Sequence, residues 1–142
     1  MPPVFDFNSE LGQKAARLIE QNYVAWLTTV DSSLTPQPRP VWFIREQDSF
    51  LIFSKPDAHK VRHLRERPRA ALHFNTDKTG DEDVIVFLGS ATIDEGAAPA
   101  YEARAYVRKY RSGMKALEMT PEEFSREYSV AIRFRPDSLR GW

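Results

Sequence analysis

A hydroxyl and a run of cations sit close together in the middle of this chain. Ser54, Lys55 and Lys60 come first, then Arg62, Arg65, Arg67 and Arg69, with only Asp57 and Glu66 against them. The apolar run Phe50-Leu51-Ile52-Phe53 leads into them and reads as a buried strand. Ser54-Lys55-Pro56 stops that strand, Asp57 offers an N-cap side chain, and Ala58 to Glu66 follows as a helix with Val61 and Leu64 inward. Pro68 ends the helix, because a proline pushes the residue before it out of the α region. A strand end, free amides at a helix start and converging ammonium groups have the chemistry of a phosphate site. A solvated basic helix fits the same residues equally well.

Other chemistry is thinly represented. No GxGxxG or Walker loop occurs, and no serine elbow marks a hydrolase. His59 and His63 stand four apart on the same helix, with no third ligand evident, so an exposed pair is expected rather than a metal site. The acidic loop Thr76 to Asp83 lacks the ligand spacing of an EF-hand and reads as solvated surface. No side chain nominates itself as nucleophile or general base, so no catalytic residue is assigned. Any enzymatic chemistry is expected from a bound cofactor.

The chain is long enough, at 142 residues, for one domain with a real core. Lysine plus arginine equals aspartate plus glutamate at 20 each, so the basic cluster is local and a nucleic-acid binder is not expected. Aromatics are not interleaved with those charges as single-strand readers need. The absence of cysteine excludes disulfides and thiol catalysis. No apolar run approaches a membrane span, and Met1 to Ser9 shows no leader pattern, so a cytoplasmic protein without membrane contact is expected.

The elements that must position the cluster read as follows. Ser9 caps a helix from Leu11 to Gln21, and Tyr23 to Val30 is a strand that turns at Asp31-Ser32-Ser33 into an antiparallel partner. That partner carries Pro36, Pro38 and Pro40 before Val41 to Ile44, so its missing amides lie along one edge. An edge strand protected from aggregation fits, and so does an edge left open for a ligand, with Arg39 beside the basic cluster. Arg69 to Asn75 and Val84 to Ile93 are the next strands, with Gly89 marking a bulge. Ala100 to Arg111 reads as a helix with Tyr101, Ala105, Val107 and Tyr110 inward, ending near Gly113. Thr120-Pro121-Glu122-Glu123 is a capping box for a helix to Tyr128, and Ser129 to Arg135 alternates as the last strand. Six meandering strands with single helices predict a mainly β, single-domain antiparallel barrel spanning residues 1–142.

The segments Trp26 to Val30, Pro38 to Phe43, Phe53 to Pro56, Val61 to Arg65, Arg67 to Arg69 and His73-Phe74 resemble the FMN-binding split-barrel superfamily, the pyridoxamine 5′-phosphate oxidase-like group. The small C-terminal helices and the ending from Tyr128 to Gly141 are similar to its branch of coenzyme F420-dependent enzymes. The resemblance implies a six-stranded split barrel forming a homodimer, with the cofactor at the subunit interface. It implies that Arg39, Pro40, Val41, Trp42 and Phe43 line the ring and ribityl chain, that Phe53 and Ser54 continue that wall, and that Lys55 and Lys60 hold the phosphate. The implied activity is hydride transfer between reduced F420 and a small organic substrate stacked on it. FMN is the alternative cofactor, and a non-catalytic cofactor-binding protein the alternative role. Trp42, Trp26 and Tyr101 are candidates for shaping the pocket, and Arg62, Arg65, Arg67 or Lys78 for meeting the acidic tail of F420.

Overall fold

The computed structural model describes residues 5–142; residues 1–4, part of the N-terminal stretch read for a leader, lie outside them. Seven strands form one antiparallel sheet: β1 (Ala25–Val30), β2 (Pro36–Val41), β3 (Ile44–Glu46), β4 (Ser49–Ser54), β5 (Arg69–His73), β6 (Ile85–Ile93) and β7 (Val130–Gly141). Four α-helices accompany it: α1 (Glu10–Gln21), α2 (His59–Glu66), α3 (Arg104–Ala116) and α4 (Pro121–Glu127).

The strand order is β2-β1-β5-β6-β7-β4-β3, so β2 and β3 lie at opposite edges although only Trp42 and Phe43 separate them in sequence. Laid flat, seven strands about 4.8 Å apart would hold those edges roughly 29 Å from each other. Three Cα–Cα steps reach at most about 11 Å. The sheet must therefore curl until its edges nearly meet, and Trp42-Phe43 bridges the gap of a split barrel. The single second strand expected over Pro36 to Ile44 is cut in two at that bridge, which makes seven strands where six were expected.

The prolines fit this arrangement. Pro36, Pro38 and Pro40 lie on an edge strand paired only with β1, opposite Val30, Thr28 and Trp26, while the residues between them keep amides for the ladder. Asp31 closes the hairpin by accepting the Ser33 and Thr35 amides at 2.9 and 3.0 Å. The bulge at Gly89 is present as a register shift between Leu88 and Gly89. Across it Gly89 pairs with Pro136 and Leu88 with Ser138, leaving Asp137 unpaired in the ladder and free to meet Arg69. A Cβ on Gly89 would lie 2.2 Å from the Arg135 carbonyl oxygen, so only glycine fits. Beyond the bulge β7 continues to Gly141, six residues past the expected end at Arg135.

Two apolar clusters account for the sequence pattern. Inside the barrel, Leu27, Phe43, Phe50, Ile52, Leu72, Phe87, Ile132 and Phe134 pack together, with α1 laying Ala15, Leu18 and Ile19 over one end. Outside, Leu51, Phe53 and Ala131 meet Tyr106, Tyr110, Met114 and Phe124 from α3 and α4. Strand β4 is thus buried on both faces, which explains its unbroken apolar run. Ser9 caps α1 through the Gly12 amide at 3.0 Å, and the capping box of α4 makes both its reciprocal bonds.

The Phe43 end of the bridge is held by one hydroxyl. Tyr110 Oη accepts the Phe43 amide at 2.6 Å and lies 2.8 Å from the carbonyls of both Phe43 and Tyr23. It has one proton for two carbonyls, and the Phe43 carbonyl also takes Lys109 Nζ at 3.0 Å. That ammonium lies 3.6 Å from the centre of the Phe43 ring, and burial lowers its pKa to about 8. Removing the hydroxyl strands a buried amide, and each buried group left unpaired costs about 1–3 kcal/mol. Tyr110→Phe should therefore lose roughly 2–3 kcal/mol in urea unfolding at an unchanged denaturant slope. A loss below about 1 kcal/mol would show that the split is held by other contacts.

Candidate functional site

A cavity of about 410 Å³ opens where the barrel splits. Its floor comes from the end of β2 and the bridge (Pro40, Val41, Trp42), one side from the end of β4 (Phe53, Ser54), and the other from the α3–α4 layer (Tyr106, Leu117, Phe124, Tyr128). Lys55, Asp57, Ala58 and Lys60 form its polar end. The volume suits a small-molecule ligand.

The apolar walls are fixed by stacking. Trp42 lies parallel to Tyr110 at 4.6 Å between ring centres and close to parallel with Phe124 at 5.6 Å, and Phe124 stacks on Tyr128 at 4.3 Å. The expected helix end at Gly113 is instead mid-helix, because α3 runs on to Ala116. Glycine is needed there: a Cβ would sit 2.5 Å from the Tyr23 hydroxyl and 2.6 Å from the Trp42 ring. The Trp42 indole thus packs directly on the α3 backbone.

The polar end combines cations with an uncapped helix. Lys60 is half-buried and makes no ion pair among the described residues. Burial, and secondarily the nearby Arg39 guanidinium, lower its pKa. Lys55 is more occupied, lying 4.0 Å from Glu127 and over the Tyr128 ring. Asp57 does not cap α2 as expected; the capping position is Ala58, which has no side chain to bond the first amides. Asp57 lines the cavity instead, at the same end as Lys55 and Lys60. Ser54 is buried, and its hydroxyl donates to the Lys55 carbonyl at 3.1 Å, which spends its proton.

Of the expected site residues, Pro40, Val41, Trp42, Phe53, Ser54, Lys55 and Lys60 are brought to this cavity. Phe43 is not: its ring points into the barrel and is fully buried. Arg39 is exposed and bonded to Pro38 and Gln37, near enough to Lys60 to perturb it but outside the cavity lining. Among the pocket-shaping candidates Trp42 lines the cavity. Trp26 stacks on His73 at 6.4 Å on the outer face of the sheet, and Tyr101 is 44% exposed on the far side of α3.

The misassignment of Tyr101 has a simple cause. A 3₁₀ turn at Ala100–Glu102 precedes α3, which starts only at Arg104, so the buried face is Tyr106, Val107, Tyr110 and Met114. Ala105, read as inward, is exposed for the same reason. Tyr106, Leu117, Phe124 and Tyr128 were missed as site residues; the i, i+4 pair Tyr106 and Tyr110 was the available signal. The histidines also divide. His59 is exposed, while His63 is buried and bonded to Thr29 Oγ1 at 2.9 Å, tying α2 to β1. No cluster of three metal-ligating side chains occurs among the described residues, and none of the described helices is long and apolar enough to cross a membrane.

Several solved structures share this architecture. The heme storage protein HutZ from Vibrio cholerae superposes with a TM-score of 0.65 at 15% identity, covering 94% of this chain and 95% of its own. A FAD-binding protein from Mesorhizobium loti gives 0.65 at 15% identity, covering 89% and 90%. An F420 reductase gives 0.60 at 17% identity, covering 87% and 94%. Identities this low show the shared fold alone. No curated protein sequence matches the chain. The sequence profile of the pyridoxamine 5′-phosphate oxidase family matches residues 11–142, and the chain belongs to that family.

Proposed function

We propose that this protein binds a phosphorylated three-ring redox cofactor at the barrel split, coenzyme F420 in preference to FMN. With it the protein transfers a hydride to a small organic substrate. One observation carries the proposal: a single cavity joins stacked aromatic walls to a half-buried lysine without a carboxylate partner, beside an uncapped helix start. A flat ring suits an aromatic lining of this kind, and a phosphate suits the Lys60 ammonium and the first amides of α2.

The bound cofactor would supply the hydride chemistry. The chain's own part is to hold the phosphate with Lys60, to exclude water from the ring with Trp42, Phe53, Phe124 and Tyr128, and to fix the ring's position. The F420-reductase and FAD-binding relatives support this class of ligand. For heme storage, the role of another relative, the cavity offers no histidine, cysteine or methionine and only the phenols of Tyr106 and Tyr128 as iron ligands, so that reading is less well supported.

The preference for F420 rests on the resemblance to that branch and on cations for its acidic tail. Arg65 and Arg67 are engaged by Glu95 and Glu66 at 3.6 and 2.8 Å. Arg39, Arg62 and Lys78 make no ion pair among the described residues, and Arg39, close enough to Lys60 to perturb it, and Arg62, on the same helix as Lys60, are the better candidates.

We further propose a homodimer formed through the outer face of the sheet. Cross-strand neighbours Trp26 and His73, and Ala71 and Leu88, are half-buried there, with Val30 and Val86 beside them. An apolar sheet face of this kind is normally covered.

Three measurements test these proposals. Lys60→Ala should weaken cofactor binding about tenfold to a hundredfold, since a charge-assisted bond contributes roughly 1.5–3 kcal/mol. Because its pKa is lowered, Lys60 loses its charge at a lower pH than an ordinary lysine. Affinity should therefore fall as pH rises through that value, and Lys60→Arg should flatten this alkaline arm; unchanged affinity in Lys60→Ala would remove the residue from the site. Titration of the apo-protein with both cofactors should show F420 affinity falling more steeply with salt than FMN affinity. Tight FMN binding without F420 binding would reassign the protein to the flavin enzymes. Sedimentation should give a dimer that Leu88→Asp weakens, and a wild-type monomer at micromolar concentration would refute the homodimer.

A further inference from the structure

Tyr106 and Tyr110 lie one turn apart on the buried face of α3, with ring centres 4.8 Å apart and no exposed surface on either. The Tyr110 hydroxyl has three backbone partners. The Tyr106 hydroxyl is buried and has no partner among the described residues. Packing alone does not call for it, because a phenylalanine would make the same ring contacts without burying an unpaired polar group. The Tyr106 ring meets Phe53 edge-on at 4.9 Å and lies 6.1 Å from Phe124, and all three residues line the cavity at the barrel split.

We propose that the Tyr106 hydroxyl is the hydrogen-bond donor for an acceptor atom on the ring of the bound ligand, and fixes which way that ring lies in the cavity. The assignment rests on the cavity being the cofactor site. The other polar groups are differently committed. Lys55, Asp57 and Lys60 sit at the phosphate end, and Ser54 donates to the Lys55 carbonyl. Trp42 and Tyr128 also carry neutral donors on the aromatic wall but are only half-buried, so Tyr106 is the fully buried donor there left without a partner. Burial, and next its neighbour Tyr110, push its pKa up, so it keeps its proton at every physiological pH. A planar ligand with apolar faces and acceptor oxygens or nitrogens at its edge matches such a wall. A ligand without an acceptor would leave the hydroxyl unpaired and be rejected.

The test compares wild type with Tyr106→Phe, using FMN and F420 as probes. Unfolding of the apo-protein should be unchanged or shifted to higher denaturant in the variant, because an unpaired hydroxyl is removed. Dissociation constants should rise roughly tenfold or more for the cofactor that wild type binds, and the visible absorption band of the bound ring should shift. A clear loss of apo stability would mean the hydroxyl is paired within the protein, and would overturn the assignment. So would an affinity within twofold of wild type together with an unchanged spectrum, the result expected of a hydroxyl that bonds only to water. Those outcomes leave the cofactor site standing. A wild-type protein that binds neither cofactor overturns the proposed function, and the role of Tyr106 with it.

Discussion

A two-residue bridge between opposite edges of one sheet is the constraint on which this structure depends. Trp42-Phe43 can span only a small part of the width of seven strands, so the sheet has to curl. Where the chain leaves one edge strand for the other, the Phe43 amide and carbonyl have no ladder to join. The Tyr110 hydroxyl accepts the amide and offers its one proton between the Phe43 carbonyl and the Tyr23 carbonyl ahead of β1, while Lys109 also donates to the Phe43 carbonyl. Side chains from α3 thereby meet the backbone needs of the split and anchor the helix over it.

The cavity is a consequence of the same geometry. A fully closed barrel would fill its interior with side chains, as this one does around Phe50, Phe87 and Phe134. At the split no strand pair closes the wall, and the covering layer is helical and aromatic. Trp42 is pressed between Tyr110 and Phe124, and Gly113 lets the indole reach the α3 backbone. The charged end follows from where β4 stops: Ser54 ends the strand, Pro56 turns the chain, and α2 starts at His59 without a side-chain cap. Lys60, on the first turn of that helix, carries its charge into a half-buried position where only an anion would offset the cost.

Much of this was legible in the residues. Prolines at every second position fixed an edge strand, an unbroken apolar run marked a strand buried twice over, and Gly89 announced its bulge. The strand end at Ser54 and Lys55 and the helix carrying Lys60 were readable as one polar unit, because strand, turn and helix are contiguous and their signals are local. Local signals failed where the phase of an element is set from outside it. A 3₁₀ turn ahead of α3 moved the buried face from Tyr101 to Tyr106, and the curl of the sheet turned Phe43 inward while its neighbour Trp42 faced the cavity.

The division has a physical basis. The sequence by itself determined most of the elements, the edge, the bulge and the family, since periodicity and backbone chemistry act over a few residues and order and spacing carry the rest. Only the tertiary structure decided that Tyr106, Phe124 and Tyr128 face the same space as Lys60, and that His63 is spent on Thr29. Those residues are tens of positions apart, and their meeting depends on how far a curled sheet falls short of closing, which no local pattern encodes.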